Sequence, residues 1–241
     1  MLHKTRGIVF SYTEFRETSL VVKIYTELFG IQSYIVNSVR KKNAKMSIGL
    51  FQPLTLVDLV VYHKERQGLH RISEIRPMPP LNSIPFDIIK STMVLFLNEV
   101  LSKSIKEEEE SQLLFEYLTT SIQLLDAQQP VSRYFHLLFL MRLTRYLGFY
   151  PLSNYSTKEP YFNLMDGKFQ SDIPLHPYYL NEQSAENFSK LILHSSDLSS
   201  CMNISAIEKR NLIEQLLEYY RLHIAGFPPI KSHKVLEQIF E

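Results

Sequence analysis

Cysteine is almost missing from this chain. Cys201 is the only one in 241 residues. A lone thiol forms no intrachain disulfide and excludes a structural zinc site of the cysteine-rich kind. Glycine is scarce too, at seven. No Gly-x-Gly-x-x-Gly, Walker A or His-Glu-x-x-His pattern occurs, which removes the common dinucleotide, nucleoside-triphosphate and zinc-protease chemistries. Apolar runs extend only a few residues, too short for a helix that crosses a bilayer. The opening residues Met1 to Phe10 hold neither an apolar signal core nor a small-residue cleavage site, which points to a cytoplasmic protein without a membrane role. The remaining composition, 45% hydrophobic and 21% charged, is that of an ordinary globular chain. Its length suits one large domain or two small ones.

The net charge of +1 conceals an asymmetry. Residues 1–80 carry 12 Lys and Arg against 6 Asp and Glu, a net +6. Residues 81–241 carry 14 against 19, a net −5. A basic third joined to an acidic remainder suggests two modules, one of which meets a polyanion.

Hydrophobic period divides the chain in the same way. Five strand-like runs occupy residues 1–80: Gly7–Ser11, Ser19–Thr26, Ile31–Val39, Leu54–His63 and Leu69–Arg76, with Gly30, Pro53, Gly68 and Pro77 as punctuation. Five short strands in this length suit a small closed barrel, either OB or SH3-like; pattern alone does not choose between them. Residues 76–85 hold four prolines and mark a domain boundary near position 80. Beyond it the period is 3.6. Ser83 is positioned to cap a first helix with Pro85 in its first turn, and Phe86, Ile89, Met93, Phe96, Leu97 and Val100 share one stripe. A second helix is expected from Glu107–Glu110 to Ala127, with Leu113, Leu114, Tyr117, Leu118, Ile122 and Leu125 inward; its acidic start suits the helix dipole. The third, Ser132–Leu147, is apolar almost all round and belongs in a bundle centre, with Gly148 ending it. Tyr161–Gln170 reads as a hairpin turning at Asp166-Gly167. Helices over Glu182–His194, Ser205–Ile224 and His233–Phe240 complete the chain.

Candidate catalytic groups are few. Glu14 and Glu17 form a carboxylate pair in a connection with nothing to bury it, so solvation is the expected state. His63, His70 and His176 are scattered over different elements, which argues against a metal centre. No serine sits in a Gly-x-Ser-x-Gly elbow, and Cys201 beside Met202 has no activating neighbour. No metal or cofactor is therefore expected.

The informative feature is the run Arg40, Lys41, Lys42 and Lys45, four cations in six residues directly after the third strand. Closely spaced cations gather phosphates, because each contact releases condensed counterions. Tyr12, Phe15, Tyr25, Phe29, Tyr34 and Phe51 are interleaved and offer faces on which bases stack. The same composition also describes a solvated loop over an aromatic core, and spacing leaves both readings open.

Several segments resemble the RecO family of bacterial recombination mediators. They are Glu17-Thr-Ser-Leu-Val-Val-Lys-Ile-Tyr-Thr26, Gly30, Val36-Asn-Ser-Val-Arg-Lys-Lys42 and Leu50-Phe-Gln-Pro-Leu54, then Tyr146-Leu-Gly-Phe-Tyr-Pro151, and Leu216-Leu-Glu-Tyr-Tyr-Arg-Leu-His223 with Lys231-Ser232 and Val235-Leu236. The resemblance spans nearly the whole chain in one order. It implies an α+β architecture: an N-terminal five-stranded OB-fold barrel over residues 1–80, followed by an all-helical domain over 81–241 with a small hairpin insertion. It also implies a task without catalysis: binding single- and double-stranded DNA, annealing complementary strands, and working with RecR to load RecA onto DNA coated by the single-strand binding protein SSB. Such a protein works in the cytoplasm at the nucleoid. DNA contacts then fall on Arg40, Lys41, Lys42 and Lys45, flanked by Lys4, Arg6, Arg16 and Lys23, with Tyr34 as a stacking aromatic. The family also holds the acidic, apolar C-terminal tail of SSB in its helical domain, for which Arg133, Arg142 and Arg145 are the candidates here.

Two departures matter. Many RecO proteins carry a four-cysteine zinc ribbon where this chain has residues 152–180, a segment without cysteine. The usual Lys-Gly ahead of the basic run is Asn37-Ser38, one cation fewer. Two other functions remain as alternatives: a protein-only adaptor using the basic face, and an OB-fold nucleic-acid-processing enzyme. The latter needs clustered carboxylates for metal ions, whereas the six acids of residues 1–80 are dispersed.

Overall fold

The computed structural model describes residues 1–15, 17–37, 39, 47–64, 68–106 and 110–239. Two compact units are present, Met1–Ala127 and Gln128–Glu241.

The first unit is built on five strands: β1 (Leu2–Phe15), β2 (Ser19–Thr26), β3 (Gly30–Val36), β4 (Leu56–Tyr62) and β5 (His70–Pro77). β1 is long enough to serve two neighbours. Leu2–Ile8 pairs with β4 and Gly7–Phe15 pairs with β2, and a register shift between Val9 and Ser11 marks a bulge that lets the strand bend from one to the other. Gly7 lies where the two pairings overlap; a Cβ there would meet Ile24 Cγ2 at 2.7 Å and Leu59 Cδ1 at 2.9 Å. Closure comes from a short parallel pairing, Tyr34 with His70 and Ile35 with Arg71. The resulting closed order, β1-β2-β3-β5-β4, is that of an OB barrel and settles the choice between barrel types.

Inside the barrel lie Val9, Leu20, Val22, Ile24, Tyr34, Val36, Phe51, Val57, Leu59 and Val61. Of the two alternating faces of β3, Tyr34 and Val36 belong to the barrel core, while Ser33 and Ile35 are half-buried outside it. Val39, buried beyond the end of β3, donates its amide to Thr18 O at 3.1 Å. Ile8, Phe10 and Tyr25 are buried as well, although they are not part of that inner cluster. Two helices account for this, α1 (Ile88–Ser104) and α2 (Gln112–Ala127). Phe115 of α2 packs its ring 6.1 Å from that of Tyr25, and Asn98 of α1 donates to Phe10 O at 2.9 Å. The compact unit therefore runs past the expected boundary at position 80 to Ala127.

The first helix begins later than its sequence suggests. Asp87, not Ser83, is the N-cap, accepting from the amides of Ile89 and Lys90. Ser83 instead belongs to a turn captured by the end of α2, where the Asp126 carboxylate accepts from the amides of Asn82, Ser83 and Ile84. Lys90 is buried and donates to Ser83 Oγ at 2.7 Å and Asp126 O at 2.8 Å, which satisfies its ammonium. Phe86 and Leu113, expected inward, are exposed, while Phe115 is fully buried. The shift of the helix start moves Phe86 ahead of the first turn, and the barrel selects Phe115 for α2's inner face.

The second unit centres on α3 (Phe135–Tyr146), whose residues from Phe135 to Met141 are all buried, as a helix apolar almost all round over that stretch requires. Gly148 follows with φ of +85°, a C-terminal stop that favours glycine. α4 (Glu182–His194) and α5 (Ala206–His223) lie against α3, and α6 (His233–Ile239) comes last. Asn181 caps α4, and Ser205 with Glu208 forms a capping box on α5. Between α3 and α4 the expected hairpin appears as β6 (Tyr161–Asn163) and β7 (Lys168–Gln170), with β8 (Tyr179–Leu180) on the other side of β6.

That hairpin is organised by two asparagines. Asn154 accepts from Phe169 N and donates to Phe169 O, so its side chain pairs with β7 like a short strand. Asn163 is buried; its Oδ1 accepts from the amides of Met165 and Asp166, and its Nδ2 donates to Asp166 Oδ2 and Gln170 Oε1. Below them Phe162 contacts the rings of Phe169, Phe188 and Tyr219. Gly167 makes the turn at φ of +65°, where a Cβ would come within 2.6 Å of Tyr219 Oη.

Candidate nucleic-acid interface and peptide cleft

Of the proposed DNA contacts, Arg16, Arg40, Lys41, Lys42 and Lys45 lie outside the described residues. The described residues that flank the run in sequence are Val39, whose amide donates to Thr18 O, and Ser47, which caps a short turn. Lys4, Arg6, Lys23 and Tyr34 are described, and they have different surroundings.

Two outward faces of the barrel differ in charge. On β1 and β2, joined by β3 and β5, Ser11 pairs with Lys23 and Lys23 with Ser33, while Thr13, Val21, Ile35 and Arg71 form the adjacent row. Lys23 and Arg71 are exposed there, and neither row contains a carboxylate. The other face, on β1, β4 and β5, sets Lys4, Val60 and Glu74 in one row and Arg6, Asp58 and Arg76 in the next. A cleft of about 430 Å³ lies on it, lined among others by Lys4, Arg6, Glu27, Asp58, Glu74 and Arg76, three cations and three acids. Its charges cancel, unlike those of the two rows without a carboxylate.

Arg6 is matched within the protein. Its Nε donates to Glu27 Oε2 at 2.9 Å and its Nη2 to Glu27 Oε1 at 2.5 Å; Nη2 also bonds Glu116, and the guanidinium lies over the Phe115 ring at 5.1 Å. Hydrogen bonds that it donates to the two carboxylates raise its pKa, and Arg6 in turn lowers that of Glu27. This forked pair with a second acid is a structural joint between β1 and α2, and it removes Arg6 from the DNA contacts. Tyr34 is removed for a different reason: it is fully buried in the barrel core, and burial raises its phenol pKa. No face of its ring is open to a base. Arg71 was missed in the sequence, since only the parallel closure of β5 on β3 brings it beside Ile35.

In the second unit a cleft of about 290 Å³ is lined by Arg142, Arg145, Tyr150, Ser153, Ile192, Leu193, Ser195 and Ser196. Arg142 and Arg145, three apart near the end of α3, reach the same opening. Arg142 Nη1 donates to Ser196 O at 2.9 Å, and Arg145 lies over the Tyr150 ring at 4.6 Å. Arg133 is exposed before the start of α3 and does not line the cleft. Arg133 precedes the helix, whereas Arg142 and Arg145 lie toward its C-terminal end.

Among the described residues no group of three or more His, Cys, Asp and Glu is arranged to hold a metal ion. His63 and His70 stack ring on ring at 4.4 Å. Cys201 is exposed. No helix among the described residues is long and apolar enough to cross a membrane.

The strand order and closure define the class: an OB-barrel protein extended by helices. Comparison with known proteins makes the assignment particular. Residues 1–80 match the family model described as Recombination protein O N terminal, and residues 85–233 match Recombination protein O C terminal. Relatives named DNA repair protein RecO include one from Flavobacterium psychrophilum, 38% identical over 240 residues and 98% of each chain. One from Bacteroides fragilis is 38% identical over 243 residues and the full length of both. Another, from Porphyromonas gingivalis, is 26% identical over 245 residues, again at full length. The chain belongs to the RecO family of DNA repair proteins.

Proposed function

We propose that this protein is a recombination mediator without catalytic activity. It binds single- and double-stranded DNA, anneals complementary strands, and with RecR helps load RecA onto SSB-coated DNA, in the cytoplasm at the nucleoid. The observation that carries the reading is the pair of outward barrel rows without a carboxylate, on which Lys23 and Arg71 are exposed; the basic run follows Val39 in the sequence. Cations on such a surface screen two phosphate backbones at once and raise the local concentration of strands; base pairing then supplies the free energy of annealing. The DNA contacts are Arg40, Lys41, Lys42 and Lys45, with Arg16, Lys23 and Arg71 as flank, and Lys4 at the neutralised edge. The cleft beside Arg142 and Arg145, with Ile192 and Leu193 in its wall, suits the acidic, apolar tail of SSB.

The test replaces Arg40, Lys41, Lys42 and Lys45 together with alanine and measures oligonucleotide binding against salt. The expected slope is shallower by roughly 2.8, from about 0.7 per phosphate contact on a single strand, and annealing of SSB-coated strands falls with it. An unchanged slope would refute the assignment. Degradation of the oligonucleotide when magnesium is added would make the protein an enzyme, and indifference to DNA would make it an adaptor.

A further inference from the structure

We infer that Tyr150 is the positioning residue of the peptide cleft: it holds the Arg145 guanidinium in the orientation that receives a carboxylate. The inference rests on the reading of that cleft as an acidic-peptide site.

The two arginines of the cleft are not equivalent. Arg142 already gives an N–H to the Ser196 carbonyl. Arg145, on the last turn of α3, is exposed, and the contact that defines its guanidinium is the Tyr150 ring, 4.6 Å below. An exposed arginine side chain samples many rotamers and loses that freedom when it pairs. Stacking on an aromatic face restrains the plane of the guanidinium before a ligand arrives. A guanidinium lying flat on a ring keeps the N–H groups along its edge, and a carboxylate meets such an edge by two parallel bonds. The ring therefore acts on affinity by removing an ordering cost, without touching the ligand.

Such a support works only if it is rigid itself. Tyr150 is half-buried, and its hydroxyl lies 3.0 Å from Ser195 Oγ and 3.3 Å from Ile192 O. Ser195 is buried and donates in turn to Ile192 O at 2.7 Å. Both partners belong to the C-terminal end of α4, whose Ile192 and Leu193 form the apolar wall of the same cleft. Tyr150 thus ties the cation to the apolar wall, so that charge and apolar contact are presented at a set spacing.

The experiment is a double-mutant cycle on the full chain. Its probe is a synthetic peptide with several aspartates, an apolar last residue and a free carboxylate, measured by fluorescence anisotropy. Tyr150→Leu should weaken binding about fivefold to tenfold. Tyr150→Phe, which keeps the ring under Arg145 but loses the hydroxyl anchor on Ile192 and Ser195, should lie between the unaltered protein and Tyr150→Leu; a loss as large as that of Tyr150→Leu would overturn the role of the ring. In an Arg145→Ala background Tyr150→Leu should have almost no further effect, because the cation it positions is gone. Thermal melts of all variants report folding separately. Equal losses from Tyr150→Leu with and without Arg145 would overturn the positioning role while leaving the cleft as a peptide site. Absence of peptide binding by the unaltered protein would overturn the peptide reading, and the positioning role with it.

Discussion

Acid should loosen the helical unit through one side chain, His136. It lies on α3, fully buried, and burial, with a further contribution from the Lys209 charge, holds its pKa down from 6.5 to about 3. The imidazole is therefore neutral in the folded protein at any pH above that value, while in the unfolded chain it protonates near 6.5. Between these limits the unfolded state binds more protons, so stability falls as pH falls. The contribution is whole above pH 6.5 and is lost progressively down to about 3. Lowering pH from 7 to 5 should cost about 2 kcal/mol from this group alone, by linkage between the two pKa values. The assay is urea unfolding followed by far-ultraviolet circular dichroism, since the chain has no tryptophan to report by fluorescence. A His136→Leu variant has its own baseline stability, but the quantity compared is the change between the two pH values. The variant should lose about 2 kcal/mol less than the unaltered protein over that interval. An equal loss in both would show that His136 is not the group that titrates and would refute the reasoning.

Two other outcomes follow from the hairpin that joins α3 to α4. Gly167→Ala forces a Cβ into a φ of +65° and to within 2.6 Å of Tyr219 Oη, so it should destabilise the protein by about 1–3 kcal/mol, the usual range for imposed backbone strain; an unchanged melting temperature would mean that the turn relaxes freely. Asn163→Ala removes acceptors for two amides of the turn and should lower stability by about 1–3 kcal/mol, the range for leaving buried polar groups unpaired. A chelator, by contrast, should leave the melting temperature where it was, because the hairpin is held by asparagine hydrogen bonds and packed rings; a chelator-induced drop would contradict this.

How much was legible in the sequence depended on whether the signal was local. The five strands were visible because β-branched alternation and glycine or proline punctuation act over a few residues, and β2 begins and ends where the pattern does, at Ser19 and Thr26. α4 has the bounds its period implies, Glu182 to His194, with Asn181 supplying the cap. The all-round apolar stretch of α3 announced its own burial. Arg142 and Arg145, three apart on one helix, could be placed together from spacing alone, and so could the Asp166-Gly167 turn.

Other features depended on partners distant in the chain. Whether the strands made an OB or an SH3-like barrel was decided by closure of β5 on β3, a contact that no local pattern encodes. The same closure carried Arg71 to the acid-free face. Arg6 looked like one more cation until the fold brought Glu27 and, 110 residues away, Glu116 to its guanidinium. Tyr34 looked like a stacking platform until its face of β3 proved to be the inner one. Ser83 is a good cap by residue type, but Asp126 claims its backbone, and the helix starts at Ile88 instead. In each case the residue's chemistry was evident from the sequence, and what it was used for depended on which charge, ring or amide the tertiary structure set against it. Sequence alone determined the type and order of the elements, because those preferences are set by neighbours within a turn or two. Only the tertiary structure decided which cations remain exposed to bind and which are matched inside the protein, because an ion pair depends on distance in space.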